Sequence, residues 1–466
     1  SRRQRQMCIR DRNYFEQIEG TPIAYWITKE MFNVFLTCKK MNHYTETKVG
    51  LQTSNNERFI RLWPEVSYGD IRFGTTCTDE TLNDGGKWYP HNKGGEYRKW
   101  FGNNLFVVDW YKNGYNIKKE KADNLEKGLI EKKNSKCWNS EYYFRECLTW
   151  SRIGFDNFGV RYSPVGSVFD TAGTALFANT DILKYILGLL NTKIVYEMLQ
   201  IINPTLNYQT GDIAKIPLVI DNEYMDEINE IVNECIKIAE QEWDSYELSW
   251  NYKAHPFVEQ KEKNLETAYI SWERIANDRW TKEKQLESKL NQLFAHIYGI
   301  NSSKNIFLDD NEITLRKADV KNDVKSFLSY AVGCMFGRYM LKTEESFDKD
   351  DIYQPIRDGI LMLTGDGFFE DNDVIFNLEK ILRKLYGEEE LENNINFIAQ
   401  NISNNYKNAR ATIRKYFVEE FAVEHANTYS TKSTGKCPIY WKFTSGKNNA
   451  FACMIDIHMY CLLYTS

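Results

Sequence analysis

The sequence predicts an α+β protein: an irregular mixed-sheet domain followed by a mainly helical region. Three observations carry that reading. Up to about residue 220, short apolar runs recur with Gly and Asn between them, as strands joined by long loops do. The stretch DILKYILGLLNTKIVYEML then sets Ile182, Tyr185, Ile186, Leu189 and Leu190 at the spacing of one helix face. From Asp221 the texture becomes acidic and helix-forming and stays so.

Taken in order, TPIAYWITKEMFNVFL suggests a strand and then a helix over Lys29–Thr37. GLQTSNNERFIRLW, Gly50 to Trp63, opens as a loop; FIRLW then alternates or begins a helix, and Pro64 stops either. Strand-like runs follow at Asn104–Trp110, Leu148–Ile153, Gly159–Tyr162 and Ser167–Asp170. A helix over Thr180–Leu199 ends at Asn203-Pro204. Tyr224–Trp243 reads as an acidic amphipathic helix and Val258–Tyr298 as a long solvated one. Residues 312–460 are mostly helical, with acidic loops at Glu344–Asp351 and Gly365–Asp373. They close on Lys436–Tyr460, a strand, a Gly turn and another strand or helix. The expected organisation is a domain over 13–220, a helical spacer over 221–300 and a helical domain over 301–460.

Composition bounds the function. Mean hydropathy is -0.56 and no apolar run reaches the roughly 20 residues of a membrane span. No apolar stretch follows the basic start, so no secretory signal is read. The ten Cys are scattered without a CxxC pair, and the six His form no ligand-spaced cluster. A zinc site is not expected, and scattered thiols point to a reducing cytoplasm. Net charge is -6, but unevenly spread. Residues 13–220 carry 25 Lys and Arg against 23 Asp and Glu, a net +2; residues 221–466 carry 29 against 41, a net -12. The near-neutral part therefore holds the aromatic-rich stretches, and charge distribution matters more than its sum for a nucleic-acid partner.

The densest of those stretches is KWYPHNKGGEYRKWFGNN, Lys87 to Asn104. Its cations suit phosphate, Arg and Asn suit base edges, flat rings stack on an extruded base, and glycines let a backbone approach a polyanion. The bland alternative is a glycine-rich hairpin whose Trp88 and Trp100 are core; an aromatic carbohydrate platform, insensitive to salt, is a third. Trp150-Ser151-Arg152 and Arg161-Tyr162 repeat the ring-and-guanidinium pairing, and Asn55, Asn56, Arg58 and Arg61 form a polar loop followed by cations. Residue chemistry nominates Arg58, Arg61, Asn92, Arg98, Arg152 and Arg161 as base readers. It nominates Lys87, Lys93 and Lys99 for phosphate, and Trp88 and Trp150 for packing on a distorted strand. No catalytic centre is complete. Gly-x-Gly-x-x-Gly and GxxxxGK[ST] are missing. Asn203-Pro204-Thr205-Leu206 lacks the second Pro and the aromatic of an adenine-holding loop, so it reads as a helix stop. Glu131-Lys132-Lys133 has no Pro-Asp partner for a nuclease, and His425 and His458 have no nucleophile beside them in sequence.

Several blocks together carry a resemblance: GTPIAYW (20–26), GLQTSNNERFIRLWPEV (50–66), KWYPHNKGGEYRKWFGNN (87–104), TWSRI (149–153), RYSPVGSVFDTAGTALF (161–177), ILGLLNTKIVYEMLQIINPTLNYQTGDIAKIP (186–217), DVKSFLSYAVGCMFGRYML (323–341) and PIYWKFTSGKNNAFACMIDIHMY (438–460). In this order they resemble the C-terminal half of the PglX family, adenine-specific DNA methyltransferases of BREX phage-defence systems related to fused type II restriction–modification enzymes. The resemblance implies S-adenosylmethionine bound in an upstream domain and none in this chain. It implies double-stranded DNA as partner, with a helical region over 221–460 that clamps DNA and contacts other BREX proteins. It implies a target recognition domain over 13–220 and no methyl transfer by this chain alone. A stand-alone recognition or assembly subunit is the alternative. The ends, SRRQRQMCIRDR (1–12) and CLLYTS (461–466), resemble translated sequencing adapters. They are set aside as evidence for DNA binding, and the natural chain is expected to run past both.

Overall fold

A computed structural model describes residues 27–129, 136–154, 157–300, 307–341, 353–365, 370–404, 407–430, 439–446 and 450–458. The expected strand within 21–26 and both adapter-like ends lie outside them, as do Glu131-Lys132-Lys133 and most of the two acidic loops. The fold is α+β, with several small mixed sheets among helices. By contact the chain divides into two units, residues up to 241 with 280–315, and residues 242–279 with 316–466. Two helices, Met225–Asp244 and Leu265–Ile297, run across that division, whereas the sequence suggested a boundary at 220 and a spacer to 300.

In the first unit, α1 (Lys29–Thr37) is capped by the Thr28 hydroxyl, which accepts the Met31 amide at 3.2 Å. Two four-stranded sheets follow. One has the order β1 (Glu46–Lys48), β10 (Gly173–Phe177), β7 (Cys147–Ser151), β8 (Val160–Ser163), antiparallel throughout. The other has the order β3 (Ile60–Leu62), β5 (Phe106–Asp109), β4 (Trp88–Asn92), β9 (Val168–Phe169), with β4 and β9 parallel. A short ladder joins β2 (Leu51–Gln52) to β6 (Lys136–Cys137). The one-turn α2 (Asn56–Phe59) precedes β3. Helix α3 (Tyr111–Glu126), which the sequence reading did not anticipate, follows β5. Its first turn holds Lys112, Asn113 and Gly114 at positive φ, which interrupts the helical period.

The helix expected over Thr180–Leu199 is two, α4 (Thr180–Leu190) and α5 (Lys193–Ile202). Thr192 starts the second, its hydroxyl accepting the Val195 amide, and Asn191 leaves the ladder to bond Val160 through both its amide oxygen and nitrogen. The residues i to i+8 of the pattern were right, but a buried Asn-Thr pair caps better than it propagates. Short α6 (Thr210–Ala214) leads to α7 (Met225–Asp244). Gly188 of α4 brings that helix against α7, where an added Cβ would meet Val232 at 2.8 Å. The C-terminal part of α9 (Leu265–Ile297) closes this core, with Phe294 edge-on to Tyr185 at 5.2 Å.

The second unit is helical around α10 (Val320–Met335), buried from Phe327 to Met335, with the short α8 (Pro256–Glu259) and the first part of α9. It continues through α11 (Val374–Tyr386), α12 (Leu391–Ile402), α13 (Ala409–Tyr416) and α14 (Ala422–Thr428). It also holds a three-stranded antiparallel sheet, β11 (Ile360–Met362), β13 (Ala452–Asp456), β12 (Tyr440–Thr444). The last two are the strand, turn and strand expected near the C-terminus. Among the described residues no helix is long and apolar enough to cross a membrane, and the seven cysteines are unpaired thiols.

Candidate nucleic-acid interface

The exposed candidates gather around the outer ends of β3 and β4. Asn55 caps α2, its side-chain oxygen accepting the Arg58 amide at 3.2 Å while its amide nitrogen donates to Glu120 at 2.8 Å. Asn56 is exposed and accepts from the Thr53 hydroxyl. The Arg58 side chain, 64% exposed, pairs with the same Glu120. Arg61 donates to the carbonyls of Glu57 and Ile60 and holds its guanidinium 5.9 Å from the Trp88 ring. The exposed Lys87 ammonium lies 5.0 Å from that ring. Arg61 and Pro90 face the same residue, Val107, across β5, so the side chain two positions along at Trp88 shares a face with Arg61. A half-exposed ring between two cations is a surface that can take a phosphate and a flat partner together.

Five candidates are corrected by their burial. Trp150 is fully buried in β7, its indole N–H donating to the Tyr208 carbonyl at 3.0 Å, so it packs the core and stacks on nothing outside. Asn92 donates to the Ser163 hydroxyl at 2.8 Å, joining the two sheets. Arg98 donates from Nε to the Phe101 carbonyl at 2.5 Å and from Nη2 to the Ala239 carbonyl at 3.3 Å. Lys99 forms an ion pair with Glu287 at 2.6 Å, where Trp100 also donates its indole N–H at 2.8 Å. Arg161 is 2% exposed; burial, and then the charge of Arg98, push its guanidinium down to about 10. Arg98 and Lys99 tie the loop after β4 to α7 and α9, and DNA cannot reach any of the five while the unit is folded. Lys93 is half-buried with its ammonium 5.3 Å from the Phe106 ring; burial lowers its pKa against the pull of Asp170. The glycines of this stretch serve the chain itself: an added Cβ at Gly94 would lie 2.9 Å from the Ala172 carbonyl oxygen, and at Gly95 2.8 Å from the Asn103 amide.

Arg152 and Ser151 stand elsewhere, where β7 leaves its sheet. Ser151 donates to the Gly95 carbonyl at 2.8 Å and Arg152 donates from Nε to Asn207 at 3.2 Å. Arg152 lines an open groove of about 610 Å³ with Lys48, Gln52, Trp138, Asn139 and Thr171. The sequence reading missed the other five. A signal was present in Lys136-Cys137-Trp138-Asn139, which sets a cation, a ring and an amide within four residues. Away from this unit surface, Asn203 ends α5 and its amide donates to Asn207 and Asp212, a helix stop as read. His425 is buried, and burial, aided by Arg338, pushes it down to about 3. Among the described residues no His, Cys, Asp and Glu group could hold a metal ion.

No family model matches the chain. It is 31% identical over 465 residues to the adenine-specific methyltransferase PglX of Lacticaseibacillus casei (strain Zhang), covering 96% of this chain and 37% of that protein. It is also 31% identical over 498 residues to the adenine-specific methyltransferase BrxX of Escherichia coli O9:H4 (strain HS), covering 98% of this chain and 39% of that protein. The chain thus spans under two fifths of the length of the curated relatives it matches. Matched almost from end to end, the chain is similar to a part of these two adenine-specific methyltransferases.

Proposed function

We propose that this chain supplies DNA target recognition within an adenine-N6 DNA methyltransferase of a BREX phage-defence system. The carrying observation is the match along 96% and 98% of the chain to proteins named adenine-specific methyltransferases. Double-stranded DNA is the partner of the first unit, and the acidic second unit contacts other proteins of the system. S-adenosylmethionine is held by a part of the protein that this chain does not cover. The residues present do not fit that cofactor. The chain has no Gly-x-Gly-x-x-Gly and no Asn-Pro-Pro-Tyr, and the nearest stretch, Asn203-Pro204, has its amide committed to Asn207 and Asp212. No methyl-transfer step is therefore assigned to these residues.

What the chain contributes is binding. Arg61 and Lys87 meet phosphate, and Trp88 between them offers a flat apolar wall. Arg58 and Asn55, joined through Glu120, form an adjoining polar edge. Phosphate contacts position a protein and base contacts specify it. Binding of a labelled duplex should weaken linearly on a logarithmic salt scale, with a slope of about -0.9 per phosphate neutralised. The double variant Arg61→Ala/Lys87→Ala should lower that slope. Affinity indifferent to salt, or no affinity at all, would refute the reading. Methyl incorporation by the chain alone would refute the division of labour.

A further inference from the structure

We propose that the groove lined by Lys48, Gln52, Trp138, Asn139, Arg152 and Thr171 is a second DNA-contacting surface, which takes the sugar–phosphate backbone of one strand and reads a base edge beside it. This rests on the recognition function proposed above and names the site on the first unit where reading occurs.

The groove is built by strand ends. Lys48 closes β1, Gln52 closes β2, and Trp138 and Asn139 follow β6. Arg152 follows β7, and Thr171 precedes β10. The register brings them together. Gly173 opposes Ser151, Lys48 opposes Ala175, and Leu51 opposes Cys137. The 170–173 turn is fixed from inside. Asp170 accepts the amides of Ala172 at 2.6 Å and Gly173 at 2.8 Å, and the Thr171 amide donates to the Leu51 carbonyl at 3.2 Å. A polar wall held by backbone bonds loses little freedom when a ligand arrives.

The lining suits a polyanion that also carries flat, hydrogen-bonding bases. The Lys48 ammonium sits 4.5 Å from the Tyr142 ring, with Arg145 5.0 Å from the same ring. Lys48 shares the Glu46 carboxylate with the Tyr142 hydroxyl. Lys136 lies 4.7 Å over Trp138, a ring 38% exposed. Arg152 is bonded to a neutral amide, so that contact leaves its charge uncompensated. Asn139 gives its amide nitrogen to the Val49 carbonyl at 2.8 Å, which fixes the side chain. Cations in and beside the groove, a ring on one wall, a fixed amide and a guanidinium are the donor and acceptor set for phosphate and base edge together.

The test uses the full chain and a fluorescein-labelled duplex of random sequence, read by anisotropy across a salt series. Lys48→Ala/Lys136→Ala/Trp138→Ala should lower affinity at low salt by about tenfold or more and reduce the salt slope by about 1 to 2, with an unchanged melting temperature. If the unchanged chain binds DNA and this variant binds equally, the groove assignment falls and the recognition function stands. If the unchanged chain shows no salt-dependent binding, both fall. A second measurement is independent of the variant's folding. Acetylation of Lys48 and Lys136 in the unchanged chain, mapped by mass spectrometry, should drop several-fold when duplex is present; equal labelling with and without duplex overturns the proposal.

Discussion

Replacing Lys99 by Met separates a buried anchor from a DNA contact. Lys99 and Glu287 are 5% and 1% exposed at their side chains and 2.6 Å apart. The carboxylate has two donors, the Lys99 ammonium and the Trp100 indole N–H at 2.8 Å. Burial opposes the ammonium's charge, but the nearby Glu287 carboxylate and the Tyr97 hydroxyl together hold its pKa above the ordinary lysine value. Lys99→Met keeps the apolar stem and leaves Glu287 charged and half-satisfied beside Glu283. Removing one partner of a buried pair costs about 3–5 kcal/mol, because the remaining charge stays out of water. For a unit of this size that corresponds to a fall in Tm of roughly 6–15 °C, measured by differential scanning calorimetry. Lys87→Ala is the control: an exposed lysine, it should move stability by no more than about 0.5 kcal/mol and lower the salt slope of DNA binding by about 0.9. The reasoning fails if Lys99→Met melts with the unchanged protein and instead weakens DNA binding at low salt.

Three further outcomes follow from buried groups. Burial, and then the neighbouring Glu287 charge, hold the Glu283 carboxyl well above its ordinary range. Below that ordinary range both folded and unfolded chains keep the proton; above it the unfolded chain releases it and the folded chain does not, so stability falls as pH rises, by up to about 1.4 kcal/mol per pH unit. Glu283→Gln should therefore flatten the decline of Tm between about pH 5 and pH 8, and identical slopes would contradict it. Gly94→Ala places a Cβ 2.9 Å from the Ala172 carbonyl at a φ of +85°, and should cost about 1–3 kcal/mol in urea denaturation; a neutral effect would mean that the loop relaxes freely. In the second unit, Glu247 is buried, accepts from the Ser329 hydroxyl at 2.5 Å and is steadied by the charge of Arg338, which also donates to Tyr440 at 3.2 Å. Glu247→Gln and Arg338→Met should be non-additive by about 1 kcal/mol or more in a double-mutant cycle, whereas strict additivity would show that the two charges do not interact.

Elements set by local rules were legible in the sequence. Helix α1 falls on Lys29–Thr37 as read, and the four strand-like runs became β5, β7, β8 and β9. The acidic helix was placed within a residue at each end. The failures have identifiable causes. Apolar periodicity ran through Asn191-Thr192 without a Gly or Pro to stop it, yet Asn191 bonds across to Val160 and Thr192 caps the next helix, and those bonds depend on a strand about thirty residues earlier. Helix α3 was hidden by its lysine-rich, weakly apolar face, where only Gly114, Ile117 and Lys121 are buried. Its Lys121 is held by the Gln52 carbonyl at 3.2 Å, a tertiary bond with no local trace.

The site was half legible for one physical reason: a cation beside a ring looks the same in sequence whether its counter-charge is a phosphate or a carboxylate of its own chain. Arg61, Lys87 and Trp88 remained at the surface because β3 and β4 end there. Arg98 and Lys99 fold inward because the loop after β4 crosses α7 and α9, and Glu283 and Glu287, one turn apart on α9, wait there. Nothing local to Lys99 announces Glu287, 188 residues later. Two acids at i, i+4 on a helix are also the ordinary pattern of a solvated face, so α9 gave no warning that this turn was buried. The converse error hid the groove, whose members are spread from Lys48 to Thr171 and meet only through strand register. A recognition surface assembled from strand ends is recovered by asking which cations have no fully buried carboxylate as partner once the sheets are closed. That question divides Lys99 from Lys87, and it sets Arg152, whose Nε donates to the neutral Asn207 amide, beside Lys87 rather than Lys99.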